Sequence, residues 1–261
     1  MDDKQRLDVA LVARGLALSR QRAGENIKAG QATVNGQVVR KPAHLCHAED
    51  VLTAHDTLAY VGRGGLKLEA ALDAFGIDPA GKLCLDAGAS TGGFTDCLLQ
   101  RGARKVIAVD VGRDQLVESL RRDSRVTALE QTDIRTVTWE VLGAPTDLAV
   151  CDVSFISLTL VLPALRELLR FGGEAVVLIK PQFEVGPARV GKGGIVRAAK
   201  TRLDAIHAVI NAAKSIGFTA LDIIASPVAG GDGNREYLLH LFSGETINSP
   251  IRLAQRIKEA L

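Results

Sequence analysis

The sequence predicts an α/β protein in two unequal parts: a small α+β unit of about sixty residues, then a larger, mostly parallel sheet with helices on both faces. Three observations carry this expectation. Apolar strands alternate with helical stretches from Lys82 onward, the first sixty residues have a different texture, and a glycine-rich turn follows the first strand of the larger part. The 261 residues suffice for one large domain or two unequal ones. At 47% hydrophobic and 24% charged, the chain has ample core, which excludes disorder, collagen and coiled coil. No apolar run reaches the roughly 18 residues of a membrane span. Met1-Asp2-Asp3-Lys4 lacks the basic-then-apolar order of a secretory signal. Cys46, Cys84, Cys97 and Cys151 form no CxxC pair, so no disulfide framework and no metal site are expected. A cytoplasmic monomer is the expectation.

In the small part, Leu7 to Val12 follow a helical pattern that stops at Gly15. Ser19 is placed to cap a second helix that ends at Gly30. Ala32 to Val39 then read as two strands around an Asn35-Gly36 turn. Residues 1–41 hold eight Lys/Arg against four acids, although the whole chain carries only +2. That local excess is a footprint for phosphates, or a solvated helix face. The segment from Tyr60 to Gly65 is the expected joint, which divides the chain into 1–60 and 61–261.

In the larger part, strands are expected at 83–86, 106–110, 148–152, 175–180, 220–225 and 237–242. Helical stretches fall at 93–101, 115–122, 158–169 and 202–216. The turn Asp86-Ala87-Gly88-Ala89-Ser90-Thr91-Gly92-Gly93-Phe94 follows the first strand and opens a helix, at the sheet edge where α/β folds bind cofactors. Asp110 ends the next strand, where an acid can bind the two hydroxyls of a ribose, with Val111 beside it. Asp133, after a third strand, is placed to meet an adenine amino group. The spacing Asp-x-Gly-x-Ser-x-Gly-Gly is similar to the S-adenosylmethionine turn of Rossmann-like methyltransferases rather than to a dinucleotide fingerprint. Gly186 to Gly193 nearly fit a P-loop, but Gly193 stands where the magnesium-binding hydroxyl belongs. His44-Leu45-Cys46-His47 lacks a second ligand cluster.

Several charged residues sit at predicted strand ends. Lys180 closes the apolar run from Ala175, and Pro181 ends that strand. Asp152 closes another strand, Lys67 lies shortly before the first, and Glu236 opens the last. Singly, each is more often a surface or capping charge; their shared placement at the cofactor edge joins them. A partly desolvated lysine there can serve as a base.

Arg63-Gly64-Gly65-Leu66-Lys67-Leu68, the Asp86–Asp96 turn, Asp152-Val153-Ser154-Phe155-Ile156-Ser157, Lys180-Pro181-Gln182-Phe183-Glu184 and Gly233-Asn234-Arg235-Glu236-Tyr237 occur in an order that resembles the TlyA family over nearly the whole chain. That resemblance implies an S4-like RNA-binding domain ahead of an FtsJ-like methyltransferase domain, with S-adenosylmethionine as cofactor. It implies 2′-O-methylation of cytidine in ribosomal RNA, carried by a tetrad that here is Lys67, Asp152, Lys180 and Glu236. Cofactor contacts are expected from Asp86, Gly88, Ser90, Gly92, Gly93, Phe94, Asp110, Val111 and Asp133. RNA contacts are expected from Arg6, Arg14, Arg20, Arg22, Lys41 and Arg63, with ribosomal RNA and ribosomal subunits as partners and no membrane. Two stretches depart from the family pattern, Arg113-Asp114 and Asp133-Ile134-Arg135. The rival readings are a membrane-active haemolysin, for which Ile251–Leu261 is the one amphipathic candidate, and a catalytically silent RNA-binding factor.

Overall fold

A computed structural model describes residues 4–17, 20–54, 59–230, 233–245 and 250–261. The chain divides into two compact units, Met1–Gly62 and Arg63–Leu261. In the first, strand β1 (Gln5–Arg6) leads into helices α1 (Leu7–Ala13) and α2 (Arg20–Ala29), followed by strands β2 (Ala32–Val34), β3 (Gln37–Val38), β4 (Leu45–Cys46) and β5 (Leu52–Ala54). Asn35 and Gly36 both take positive φ, 52° and 80°, which closes the expected tight hairpin. Ser19, the expected cap, lies outside the described residues. Sequence periodicity did not foresee β1, β4 and β5. Each is two or three residues long, and β5 exists only because it pairs with β2. Leu7, Leu11, Ala23 and Ile27 build the core of this unit.

The second unit begins with α3 (Gly64–Phe75), a helix where the sequence suggested only a joint. Then follow β6 (Leu83–Ala87), α4 (Gly93–Gln100), β7 (Lys105–Val109), α5 (Glu118–Arg121), β8 (Val126–Leu129), α6 (Trp139–Leu142) and β9 (Thr146–Cys151). The remainder is α7 (Leu158–Leu168), β10 (Leu169–Ile179), α8 (Pro181–Glu184), α9 (Ala199–Ser215), β11 (Phe218–Ala225), β12 (Tyr237–Ser243) and α10 (Pro250–Ala260). The sheet order is β11-β12-β10-β9-β6-β7-β8. Strand β12 runs antiparallel to both neighbours, and the other pairs are parallel.

Alternate residues of β6 face opposite ways. Leu83, Leu85 and Ala87 join the core that also takes Val161 and Leu165 of α7 and Ile206 and Val209 of α9. Asp86 faces the other way, toward Thr95 of α4. Helix α5 is shorter than expected at its start because Glu130 accepts the backbone N–H groups of Asp114, Gln115 and Leu116, holding them in a loop. The apolar side of α10 (Leu253, Ile257, Ala260) packs on the molecule's own core, so the amphipathic candidate is already covered.

Candidate active site and cofactor cavity

At the carboxyl ends of the central strands, the chain turns sharply after β6. The N–H groups of Gly88 and Ala89 both donate to the carbonyl of Val109, which ties the turn to β7. Gly88 takes φ +84°, and a Cβ there would lie 2.7 Å from the backbone oxygen of Asp152. Glycine is therefore required by the approach of the β9 end as much as by its own dihedral. Asp110 accepts the N–H of Ser90 at 2.8 Å on one oxygen and that of Gly112 at 2.7 Å on the other. Each carboxylate oxygen keeps a second lone pair.

A cavity of about 450 Å³ opens beside this turn. Gly88, Ser90, Asp110, Val111 and Asp133 line it, together with Val109, Ile134, Asp152, Val153 and Phe155. Five of the nine expected cofactor residues are thus on its wall. The other four, Asp86, Gly92, Gly93 and Phe94, are buried and outside the lining of this cavity. Gly92 takes φ +99°, a backbone conformation that favours glycine, and a Cβ there would meet the side-chain tips of Leu120 and Leu116 behind the turn. Asp133 caps the short turn that follows it, and the Arg135 guanidinium holds its carboxyl below the usual range.

Asp86 is fully buried, and burial pushes its carboxyl up to about 7 despite a 2.6 Å hydrogen bond from Thr95. Its Oδ1 has no hydrogen-bond partner among the described residues. A folded pKa above the unfolded value means that the folded protein binds the proton more tightly. The stabilisation from this carboxyl is complete below pH about 4 and is lost as pH rises through about 7. Asp86→Asn, which keeps an acceptor for Thr95, is expected to flatten that slope. Thermal unfolding of the cofactor-free protein at pH 5 and pH 8 should show the variant gaining on the parent at the higher pH. An equal difference at both would show that Asp86 does not titrate there.

The four expected catalytic residues form two ion pairs. Lys180 Nζ lies 2.6 Å from Asp152 Oδ1, and Lys67 Nζ lies 2.5 Å from Glu236 Oε2. Both lysine side chains are only 10% exposed. Ile179 pairs with Tyr237 across β10 and β12, so the next residues outward, Lys180 and Glu236, emerge side by side at one sheet edge. Pro181 opens α8 immediately after Lys180, which fixes the strand end. Ser154, two residues after Asp152, receives a 2.7 Å hydrogen bond from Lys180 Nζ. Lys180 is thus held by a hydrogen bond to Ser154 and an ion pair with Asp152.

The expected RNA-binding residues are dispersed in role. Arg6, Arg20 and Lys41 are exposed, and Arg63 is half-buried at the start of α3. Arg14 donates to the backbone carbonyls of His47, Ala48 and Asp50, so it fastens a loop. Arg22 is 2% exposed, which corrects its placement on a solvent-facing basic surface. The helical period that made Arg22 look like a surface charge turns it into the unit instead. Arg6 and Arg20 both reach Asp8, which is itself buried.

A Rossmann-type sheet, a glycine turn leading to an acid-lined cavity, and paired lysines beside it define a methyltransferase fold carrying a separate small N-terminal unit. Family models agree: an FtsJ-like methyltransferase matches residues 60–242, and an S4 domain matches residues 5–52. The chain belongs to the TlyA family of FtsJ-like methyltransferases. It is 48% identical over 243 residues to the 16S/23S rRNA (cytidine-2′-O)-methyltransferase TlyA of Mycobacterium tuberculosis, covering 92% of this chain and 91% of the relative. It is 42% identical to Hemolysin A of Brachyspira hyodysenteriae, over 90% of this chain and 98% of that one. A solved Streptococcus thermophilus structure with a hemolysin name superposes with TM-score 0.79 at 39% identity, covering 100% of this chain and 96% of that chain. Among the described residues, no helix is long and apolar enough to cross a membrane.

Proposed function

We propose that this protein transfers a methyl group from S-adenosylmethionine to the ribose 2′-hydroxyl of a cytidine in ribosomal RNA, acting in the cytoplasm on ribosomal subunits. The observation that carries this reading is the double ion pair, Lys180–Asp152 and Lys67–Glu236, standing beside the Asp110 cavity. The curated relative supplies the substrate class by its name.

The residues present fit the cofactor. Asp110 has unused lone pairs for ribose hydroxyls, and Val109, Val111 and Ile134 offer apolar walls to a flat ring. Asp152 bounds the cavity and also holds Lys180, which joins the cofactor wall to the proposed reacting centre. When bound, S-adenosylmethionine supplies an electrophilic methyl on a positively charged sulfur. A ribose hydroxyl must lose its proton as it attacks, and Lys180 Nζ is assigned that proton in its neutral amine form, which requires the ammonium of the Lys180–Asp152 pair to give up a proton to solvent before the transfer. Asp152 and Ser154 fix the direction in which Lys180 points, and Glu236 holds Lys67 beside it. Because charge is cancelled rather than created in such a transfer, alignment of the reacting atoms is the main contribution asked of the site.

Transfer of labelled methyl to ribosomal subunits, with mass spectrometry locating the product, tests the assignment. The expected product is a 2′-O-methylcytidine; a methyl found on a base would overturn the reading.

The S4 domain is assigned to tracking RNA phosphates. Charge reversal at Arg6 and Arg20 would strand the buried Asp8 without its partners, so it would test folding as much as binding. Lys28 and Lys41 are exposed and better suited. Lys28→Glu with Lys41→Glu is expected to weaken ribosomal RNA binding and reduce the salt slope by about 2, with an unchanged melting temperature. Undiminished affinity at matched salt would move RNA recognition to the catalytic domain.

A further inference from the structure

Lys180 sits at one end of two facing segments whose far ends are also tied together. Residues 152–157 follow β9, and residues 180–184 follow β10. These strands are parallel neighbours, so both segments leave the same sheet edge. At the near end, Lys180 Nζ meets Asp152 Oδ1 and Ser154 Oγ. In the middle, the rings of Phe155 and Phe183 stand 5.3 Å apart. At the far end, Glu184 accepts from Ser157 Oγ at 2.5 Å and from the N–H of Leu158 at 2.9 Å.

The turn between these ties does not hold itself. Phe155 takes φ +64°, which an aromatic residue rarely adopts, and it is 91% exposed, so its own packing does little to keep it there. Strained backbone of this kind persists where its surroundings over-determine it. The clamp from Glu184 supplies that constraint from outside the turn. A carboxylate only accepts, so the Ser157 hydroxyl proton points to Glu184, and Ser157 Oγ in turn accepts from Thr159 Oγ1 at 2.7 Å. The N–H of Thr159 also reaches Ser157 Oγ, at 3.2 Å. Burial pushes the Glu184 carboxyl up, and the donors from Leu158 and Ser157 draw it back.

We propose that Glu184 is a positioning residue for methyl transfer, which clamps the 152–157 turn to α8 and so fixes where Asp152 and Ser154 hold Lys180. The inference rests on the role given to Lys180 above and deepens it. Glu184 touches none of the reacting atoms and acts only through the turn. A misplacement of about 1 Å at a reacting group costs on the order of 100-fold in rate, so a loosened turn is expected to show in the chemical step.

The test measures single-turnover methyl transfer to ribosomal subunits as a rate per S-adenosylmethionine site, with the sites counted by calorimetry. A purely structural role would lower the number of sites and leave the rate at each unchanged. Glu184→Ala removes both acceptors and is expected to lower the rate per site by at least about tenfold. Glu184→Gln keeps an acceptor for Leu158 and a donor that can meet Ser157 Oγ, and is expected to stay within about threefold of the parent. Combined with Ser154→Ala, Glu184→Ala is expected to cost less than the product of the two single losses, by at least about threefold, because both act on the hold over Lys180. If Glu184→Ala binds no S-adenosylmethionine, Ser157→Ala removes the same contact from its other side and carries the comparison with the same outcomes. An unchanged rate per site in Glu184→Ala, an equal loss in Glu184→Gln, or losses that multiply fully with Ser154→Ala overturns the assignment. A parent that methylates no ribose would instead bring down the functional reading, and this inference with it.

Discussion

Lys180→Ala should bind S-adenosylmethionine and keep its fold, yet transfer methyl groups several orders of magnitude more slowly. Alanine removes both the proton acceptor and a charge positioned by Asp152 and Ser154, and acid–base help alone is worth roughly 10²–10⁴. The substitution also leaves Asp152 without its cation, so a melting curve must accompany the assay. Lys180→Arg separates two roles. Arginine keeps the charge and can still meet Asp152, but it is not deprotonated in a protein. If Lys180 takes the hydroxyl proton, the arginine variant is nearly as slow as alanine. Robust turnover by arginine would assign Lys180 to electrostatic positioning and remove it as the base.

Gly88→Val should abolish S-adenosylmethionine binding and destabilise the catalytic unit together. A valine Cβ would sit 2.7 Å from the Asp152 oxygen and 2.9 Å from its carbonyl carbon, at a φ of +84°. Both the backbone strain and the contact with a strand end, which cannot swing aside as a side chain could, act in the same direction. A loss of more than about 2 kcal/mol, or roughly 5 °C or more in melting temperature, is expected. Calorimetry should show affinity reduced by at least about 100-fold, because displacing Asp152 by even about 1 Å disturbs the cavity wall and Lys180 together. Unchanged affinity would place the cofactor elsewhere. The damage comes from the β9 end that the turn touches, rather than from simple filling of ligand space.

Much of the larger unit was legible because its strands are short apolar runs bounded by glycine, proline or acid, and its helices keep a regular period. Asp86, Asp110 and Asp152 stand out as acids closing apolar strands, which is a local signal. Lys180 is marked in the same way, and Pro181 supplies the stop. Ser154, Thr95 and Glu184 carry no such mark. Each matters through a partner distant in sequence or through burial: Ser154 meets Lys180 across 26 residues, and Glu184 meets Ser157 across 27.

The small unit shows the opposite balance. Its hairpin was legible from Asn35-Gly36 because that dipeptide tolerates the two positive φ angles that a tight hairpin requires. Which arginines face solvent was not. Arg14 and Arg22 read as charges on a basic segment, whereas one bonds three loop carbonyls and the other is buried.

The sequence by itself determined most of the strand and helix alternation of the larger unit, the glycine turn and three charged residues at strand ends, Asp152, Lys180 and Glu236, because these depend on local period, backbone freedom and strand ends. Only the tertiary structure decided that Lys180 pairs with Asp152 and Lys67 with Glu236, that Asp86 lies beneath the turn rather than on the cavity wall, and that Glu184 ties α8 to Ser157. The physical reason is that pairing and desolvation are properties of neighbours in space. Strands β9, β10 and β12 bring residues 152, 180 and 236 to one edge through the sheet order, and no local feature of the chain encodes that order.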